Sequence, residues 1–243
     1  MPQTVSISVV SHRQASLVAP LLESLRALHT PIEVLLTVNV PEEHAFRDEA
    51  GPLTVRVIEN ETQKGFAANH NAAFRLSRAG YFCVLNPDIR VAADPFPALI
   101  EQLRLQGLGA IGPRVLTPQG SVEDSARPFP TPFTILAKTL GAVPPASLPA
   151  TGVAYPAWIA GMFMLFPRSV YEEAGGFDES YFLYYEDVDL CARLRKLGYR
   201  VGYCADVSVI HDARRTSHGD PRYLRWHLAS MARFFWRRAT GRV

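Results

Sequence analysis

Tyr81-Phe82-Cys83-Val84-Leu85-Asn86-Pro87-Asp88 is a short apolar run that stops abruptly in a polar turn. An apolar run of that length, closed by Asn-Pro, reads as a buried strand ending at a loop. The same construction recurs upstream. Val5 to Val10 is β-branched and ends in Ser11-His12-Arg13; Ile32 to Val38 ends in Asn39-Val40-Pro41; Leu53 to Ile58 is a further strand. Leu17, Val18, Leu21, Leu22, Leu25 and Leu28 recur at helical spacing, with Pro20 expected in the first turn. A second helix is expected from about Phe66 to Leu76. The order strand, helix, strand, strand, helix, strand predicts an α/β domain with a mainly parallel central sheet flanked by helices. Ligands of such sheets bind beyond the carboxyl ends of the strands. Ser11, Asn39 and Asn86-Pro87-Asp88 all fall there, so one ligand could touch all three.

Downstream, Asp94 caps a helix with Pro95 at its first position, and Gly107 ends it. Prolines then crowd between Pro113 and Pro149, so residues 112–152 read as an irregular, exposed excursion. Ala157 to Phe166 reads as one strand, and Arg168 to Ala174 as a short helix. The stretch from Gly175 to Leu190 holds five acids, Asp178, Glu179, Glu186, Asp187 and Asp189, among Phe177, Tyr181, Phe182, Tyr184 and Tyr185. A solvated acidic face would not carry that many aromatics, so a partly enclosed site is expected, in which a carboxylate can be tuned to act as a base. A helix starting near Glu186 carries Leu190, Leu194 and Leu197 until Gly198 stops it. Two short strands, Tyr199 to Cys204 and Val207 to Ile210, lead to His211-Asp212. Residues 223–242 form a basic amphipathic helix, for which two readings stand side by side: it lies on an anionic membrane surface, or it packs back on the domain.

The chain has 243 residues, 48% hydrophobic, with a net charge of +2, which gives no global electrostatic case for nucleic acid. Cys83, Cys191 and Cys204 are odd in number and lack metal-ligand spacing, so they are expected to be buried, reduced thiols of a cytoplasmic protein. The first residues run straight into a strand, and no signal peptide or membrane span is read.

Asp88, at a strand end, could bind a hard divalent cation together with a ligand phosphate, although Asn-Pro-Asp alone signals only a turn. Asn69 opens a helix and could point back toward that strand end. His211, followed by Arg214 and Arg215, suits a metal and phosphate site. Neither Gly-x-Gly-x-x-Gly nor Gly-x-x-x-x-Gly-Lys-Ser/Thr occurs at these positions, which disfavours a dinucleotide-binding dehydrogenase and a P-loop hydrolase.

With these residues in view, the chain resembles a family 2 glycosyltransferase of the GT-A fold, in its rhamnosyltransferase-like branch. The resemblance rests on Val5–Ser11, Lys64-Gly65-Phe66-Ala67-Ala68-Asn69-His70-Asn71, Leu85-Asn86-Pro87-Asp88, Trp158-Ile159-Ala160-Gly161, Gly176-Phe177-Asp178-Glu179 to Leu190, and Val209-Ile210-His211. It implies one domain over 1–217, with a nucleotide-binding half (1–112) and an acceptor-binding half (113–217), followed by the helix of 218–243. It implies inverting transfer of a sugar from a nucleotide-diphosphate donor to a hydroxyl of a glycan or lipid-linked acceptor. Asp187 would be the general base. Ser11, Asn39, Asn69, Asn86 and Asp88 would bind the nucleotide sugar; Trp158, Tyr185 and Glu186 the acceptor. Asp88 and His211 would hold a divalent metal, Mg2+ or Mn2+. A cytoplasmic location follows, with peripheral contact to the inner face of the membrane as one option. Val38-Asn39 stands where the family usually places a base-reading Asp, and His12-Arg13 where it places a Tyr-Asn pair. Either Asn39 or the backbone then reads the base, or the nucleotide is unusual, or donor binding is weak. The alternatives are a sugar nucleotidyltransferase and a non-catalytic sugar-nucleotide-binding scaffold.

Overall fold

A computed structural model describes residues 4–44, 46, 53–139, 148–212 and 221–243. The strands are β1 (Val5–Ser11), β2 (Ile32–Val38), β3 (Thr54–Glu59), β4 (Tyr81–Leu85), β5 (Ile89–Arg90), β6 (Leu108–Leu116), β7 (Ala126–Arg127), β8 (Val153–Ala154), β9 (Trp158–Ile159), β10 (Phe163–Pro167) and β11 (Arg200–His211). The helices are α1 (Ala15–Arg26), α2 (Phe66–Leu76), α3 (Phe96–Gln106), α4 (Pro132–Thr139), α5 (Arg168–Glu173), α6 (Glu186–Lys196) and α7 (Pro221–Ala239).

The central sheet runs β3-β2-β1-β4-β10-β6-β11-β5, with β8 paired to β11. β3, β2, β1 and β4 are mutually parallel. β10 is antiparallel to both β4 and β6, and β6 is parallel to β11. Period-2 alternation splits the strand side chains between two cores. Cys83 and Leu85 of β4 and Phe163 and Leu165 of β10 join Leu21, Leu25, Phe96 and Leu99 on one face. Phe82, Val84, Met164 and Phe166 join Tyr171, Phe177, Leu190 and Leu194 on the other. Both faces are thus covered, and the carboxyl ends of the parallel strands remain as the open edge.

Four local expectations change. α1 starts at Ala15, so the exposed Pro20 lies in its second turn rather than its first. Residues 108–116, half inside the expected irregular excursion, form a long strand, β6. Its glycines hid it from pattern reading. They are required by contact: a Cβ on Gly109 would sit 2.7 Å from Tyr199 Cβ. The single strand expected over 157–166 is broken at Ala160-Gly161 into β9 and β10. The two short strands expected after Tyr199 are one, β11, with a register shift between Cys204 and Ser208.

The terminal helix packs on the domain. Phe234 is fully buried with Tyr181, Tyr185, Val188 and Ala192, and Ser230 Oγ donates to the Leu183 carbonyl (2.9 Å). Arg237 pairs with Asp178 Oδ2 (2.6 Å) and Asp189 Oδ1 (2.9 Å). Arg214, Arg215, the 217/218 boundary and the middle of the proline-rich segment lie outside the described residues.

Candidate active site

At the ends of β1, β2 and β3 the backbone steps from strand to strand. Asn39 N donates to the Ser11 carbonyl (2.9 Å), and Asn60 N to the Val38 carbonyl (3.0 Å). Three buried amides then lock the loop between β3 and α2. Asn60 Nδ2 donates to Asn39 Oδ1 (3.0 Å) and to Asn69 Oδ1 (2.7 Å). Asn39 also accepts from Lys64 N (2.8 Å) and donates to the Lys64 carbonyl (2.9 Å). Asn69 is therefore engaged in this network, its Nδ2 also donating to the Lys64 carbonyl (3.3 Å). Ser11 Oγ is held by Glu42 and receives Gln14 N (3.3 Å). Val38 is buried as a core residue.

Asp88 follows β4 and is fastened from behind, its carbonyl accepting Asp212 N at 2.9 Å. The antiparallel pairing of β5 with β11 sets His211 opposite Ile89. His211 Nε2 then lies 3.2 Å from Asp88 Oδ2, and its Nδ1 lies 2.8 Å from Glu123 Oε2. Burial opposes the charged imidazole, but the two carboxylates raise its pKa to about 9. The other Asp88 oxygen, Oδ1, is buried and has no partner. A buried carboxylate oxygen left bare is costly, and a cation would satisfy it. Among the described residues no group of three or more His, Cys, Asp or Glu is arranged to hold a metal. Asp88 and His211 would supply two ligands at most, and phosphate oxygens and water the rest, which fits the oxygen-rich, incompletely protein-bound coordination of Mg2+. Glu123, behind His211, stands where an outer carboxylate would orient such a ligand.

Asp187 sits in the first turn of α6. Its Oδ2 accepts Gly161 N (3.0 Å) and its Oδ1 accepts Val188 N (2.8 Å). Burial raises its pKa, against the pull of these N–H groups and of the Arg127 charge. Burial, followed by the Asp187 charge, raises Glu186 further. Glu186 Oε2 is buried without a partner. The two residues before them, Tyr184 and Tyr185, have φ of 71° and 67°. Successive left-handed side-chain-bearing residues are strained, and the surrounding packing must hold them. Tyr185 is buried against His227 and Phe234 of α7. Trp158 donates Nε1–H to the Pro128 carbonyl (3.0 Å), and the Arg127 guanidinium lies over its ring at 5.3 Å.

The break between β9 and β10 joins the two carboxylate centres. Asn86 N donates to the Met162 carbonyl (3.0 Å), while the neighbouring Gly161 N–H holds Asp187. Ser125, two residues past Glu123, accepts Ala160 N (2.8 Å). Residues 160–162 thereby tie the strand end before Asp88, the segment behind His211 and the carboxylate of α6. A Cβ on Gly161 would come 3.1 Å from the Phe66 ring and 3.7 Å from Asp187 Oδ2.

Asn60, Asn71 and Glu123 have no site role in the sequence reading. For Arg127 the sequence leaves two readings, a phosphate contact or a solvated cation; the structure pairs it with Asp124 at 2.8 Å and stacks it on Trp158. Asn60 was within reach of pattern reading, as the polar residue just past a strand. Glu123 offers no local signal.

The profile of the family described as "Glycosyltransferase like family 2" matches residues 2–233. Rhamnosyltransferase WbbL of Escherichia coli (strain K12) is 27% identical over 256 residues, spanning 96% of this chain and 93% of that protein. An N-acetylglucosaminyl-diphospho-decaprenol L-rhamnosyltransferase of Mycobacterium tuberculosis is 33% identical over 156 residues, 57% of this chain. The match spans only 48%, about half, of that relative's length. Among solved structures, GalNAc-T7 with UDP, GalNAc and Mn2+ superposes with a TM-score of 0.71 at 15% identity, over 90% of this chain and 45% of that one. The mannosyltransferase PcManGT from Pyrobaculum calidifontis, in complex with GDP-Man and Mn2+, does so at 0.59 and 17% identity, over 88% and 58%. The two structures share the fold, and the profile carries the family: the chain belongs to the family 2 glycosyltransferases, in their rhamnosyltransferase-like branch, on a GT-A fold.

Proposed function

We propose that the protein transfers a sugar, of the deoxyhexose class named in its relatives, from a nucleotide-diphosphate donor to a hydroxyl of a glycan or lipid-linked acceptor, with inversion. The observation that carries this reading is the stitching of residues 160–162 to both Asn86 and Asp187, which sets a cation-seeking carboxylate and a proton-seeking one along one sheet edge. Asp88 through Oδ1 would hold a divalent cation, and His211 through Nε2 would join it only on giving up the proton that its two carboxylates favour, with Glu123 behind. When bound, such an ion neutralises the charge gathering on the departing diphosphate. Ser11 and Asn86 line the donor side, and Asn39 and Asn69 act through the Asn60–Lys64 loop they hold. Asp187 takes the proton from the attacking hydroxyl. Its two backbone N–H bonds aim the carboxylate, and its raised pKa strengthens it as an acceptor. Trp158, Glu186 and Tyr185 bound the acceptor side. The three buried free cysteines agree with a reducing, cytoplasmic setting.

The test is a panel of nucleotide sugars with Mg2+ or Mn2+ and a hydroxyl acceptor, read as nucleoside diphosphate released and glycoside formed. Asp187→Asn is expected to lower transfer by about 100-fold or more while donor affinity stays within a few fold. Transfer at the wild-type rate in that variant refutes the base.

A further inference from the structure

α7 carries two apolar ladders, each stepping by four residues and therefore each running along one side of the helix. The inner ladder, Trp226, Ser230 and Phe234, faces the domain: Trp226 stacks on Phe182 at 4.6 Å, and Phe234 is fully buried. The other ladder, Leu224, Leu228, Ala232 and Trp236, is offset by two residues, which turns it to the opposite side. It is exposed, Leu224 by 61%, Leu228 by 48% and Trp236 by 52%. Phe133, in the first turn of α4, is 78% exposed. Four residues before it the chain reaches α7, where Phe129 packs on Phe234 (6.4 Å) and under Arg238 (5.5 Å). Of the eight large exposed hydrophobics among the described residues, three, Leu224, Leu228 and Trp236, fall on this one face of α7, and Phe133 is a fourth on α4.

The charge around this surface has one sign. Residues 221–243 contain six arginines and no acid. Arg237 is spent inward on Asp178 and Asp189. Arg225 falls within the outer arc, and Arg242 caps the Trp236 ring at 4.5 Å. No helix of the described residues is long and apolar enough to cross a membrane. An apolar ladder bordered by arginines, with tryptophan among its members, matches the boundary of an anionic bilayer, where rings and alkyl groups enter the headgroup layer and guanidinium groups meet phosphates.

We propose that the outer face of α7, with Phe133 of α4, docks the protein on an anionic lipid surface and turns the acceptor side toward it. The inner face of the same helix touches Phe182, Tyr184 and Tyr185, the residues just before Glu186 and Asp187. A bilayer on the outer face would stand about one helix diameter, roughly 10 Å, from that segment. The orientation deepens the reading of a lipid-linked acceptor and rests on it; the docking itself does not.

The test is co-sedimentation with vesicles of phosphatidylcholine alone and of phosphatidylcholine and phosphatidylglycerol in equal parts. The wild-type protein is expected to bind the mixed vesicles, more weakly as salt rises, and the neutral ones poorly. Leu224→Glu/Leu228→Glu is expected to lower that binding about tenfold or more, with an unchanged melting temperature and unchanged nucleoside diphosphate release on a soluble acceptor. Phe133→Ser should weaken binding by a smaller factor. Failure of the wild-type protein to bind, or wild-type binding by the double variant, overturns the proposal. So does a wild-type dimer that the double variant converts to a monomer without any vesicle binding, since the face would then belong to a second copy. Vesicle binding without any nucleoside diphosphate release upholds the docking and removes only the transferase reading.

Discussion

Asn71 is wholly spent on the chain around Gly176. Its Nδ2 donates to the Phe177 carbonyl (2.8 Å) and Glu179 Oε1 (3.0 Å), and its Oδ1 accepts Tyr171 Oη–H (2.8 Å) and Phe177 N (3.0 Å). This one amide fastens α2 to the start of the acid-rich stretch, and Gly176 is what lets the backbone come so near. It has φ +68°, and a Cβ there would fall 2.5 Å from Asn71 Oδ1. Gly176→Ala is expected to destabilise the protein by about 2–4 kcal/mol, the sum of left-handed strain and overpacking. Urea unfolding checks this, and an unshifted midpoint at unchanged slope contradicts it. The five acids of the stretch now separate by task. Asp178 accepts Ser180 N (2.9 Å) within the turn, Glu179 reaches α2, and Asp189 braces α6 through Arg193 (2.7 Å). Glu186 and Asp187 are left for the proposed acceptor chemistry. At the other carboxylate centre, Glu123→Ala should weaken Mn2+ binding in the presence of a nucleoside diphosphate by about 10- to 100-fold, because His211 loses the group that orients it. Electron paramagnetic resonance of free Mn2+ reads this directly, and unaltered affinity would deny Glu123 that part.

At the scale of elements, the deciding contact is between α6 and α7. α6 begins after two residues in left-handed conformation, Tyr184 and Tyr185, which local preferences do not favour. Both rings meet His227 of α7, at 5.2 and 5.4 Å, so the strained entry to Asp187 is clamped by the terminal helix. The ion pairs of Arg237 with Asp178 and Asp189 fix the same helix from its other end. Asp189 is fully buried and would keep only Arg193 as a countercharge if Arg237 were lost. Arg237→Ala is therefore expected to cost about 3 kcal/mol, with part of the loss appearing as reduced transfer because the Tyr184–Tyr185 turn relaxes. Unfolding measurements paired with transfer rates test this; a surface-like change below about 0.5 kcal/mol would mean that α7 is not a clamp. Cutting the chain before α7 would strip the cover from Tyr181, Tyr185 and Val188, so surface substitutions separate membrane docking from folding better than truncation does.

At the scale of the whole molecule, the sheet makes both halves one body, and its stability should report an interior titration. His70 lies beneath the sheet, with Nδ1 2.8 Å from Ser8 Oγ and its ring against Phe66 and Phe177. Burial lowers its pKa from 6.5 to about 3. The unfolded chain therefore binds a proton that the folded one refuses between those values, and stability falls as pH drops below 6.5. Chemical denaturation from pH 6.5 to 5 should show this slope in the wild-type protein, and His70→Gln should flatten it. Equal slopes in the two proteins would show that His70 charges without opening the fold. Much of the plan was legible in the chain: α2 and β4 fall on the residues where spacing and turn signals put them, because apolar periodicity and strand-ending polar residues are local. β6 was not, because Gly109 and Gly112 in Leu108–Leu116 answer to Tyr199 and Phe163 rather than to their neighbours in sequence.

By itself the sequence determined the alternation of strands and helices, the polar residues closing β1, β2 and β4, the family motifs, and the placing of Asp187 at a helix start. These depend on residue type and short spacing. Tertiary structure alone decided that Asn39 and Asn69 serve a loop through Asn60, that Glu123 stands behind His211, that Gly161 holds Asp187, and that α7 has one face on the domain and another left open. Each of these is a meeting of atoms far apart in the chain, and only packing the helices on a common sheet brings such atoms within hydrogen-bond or van der Waals reach.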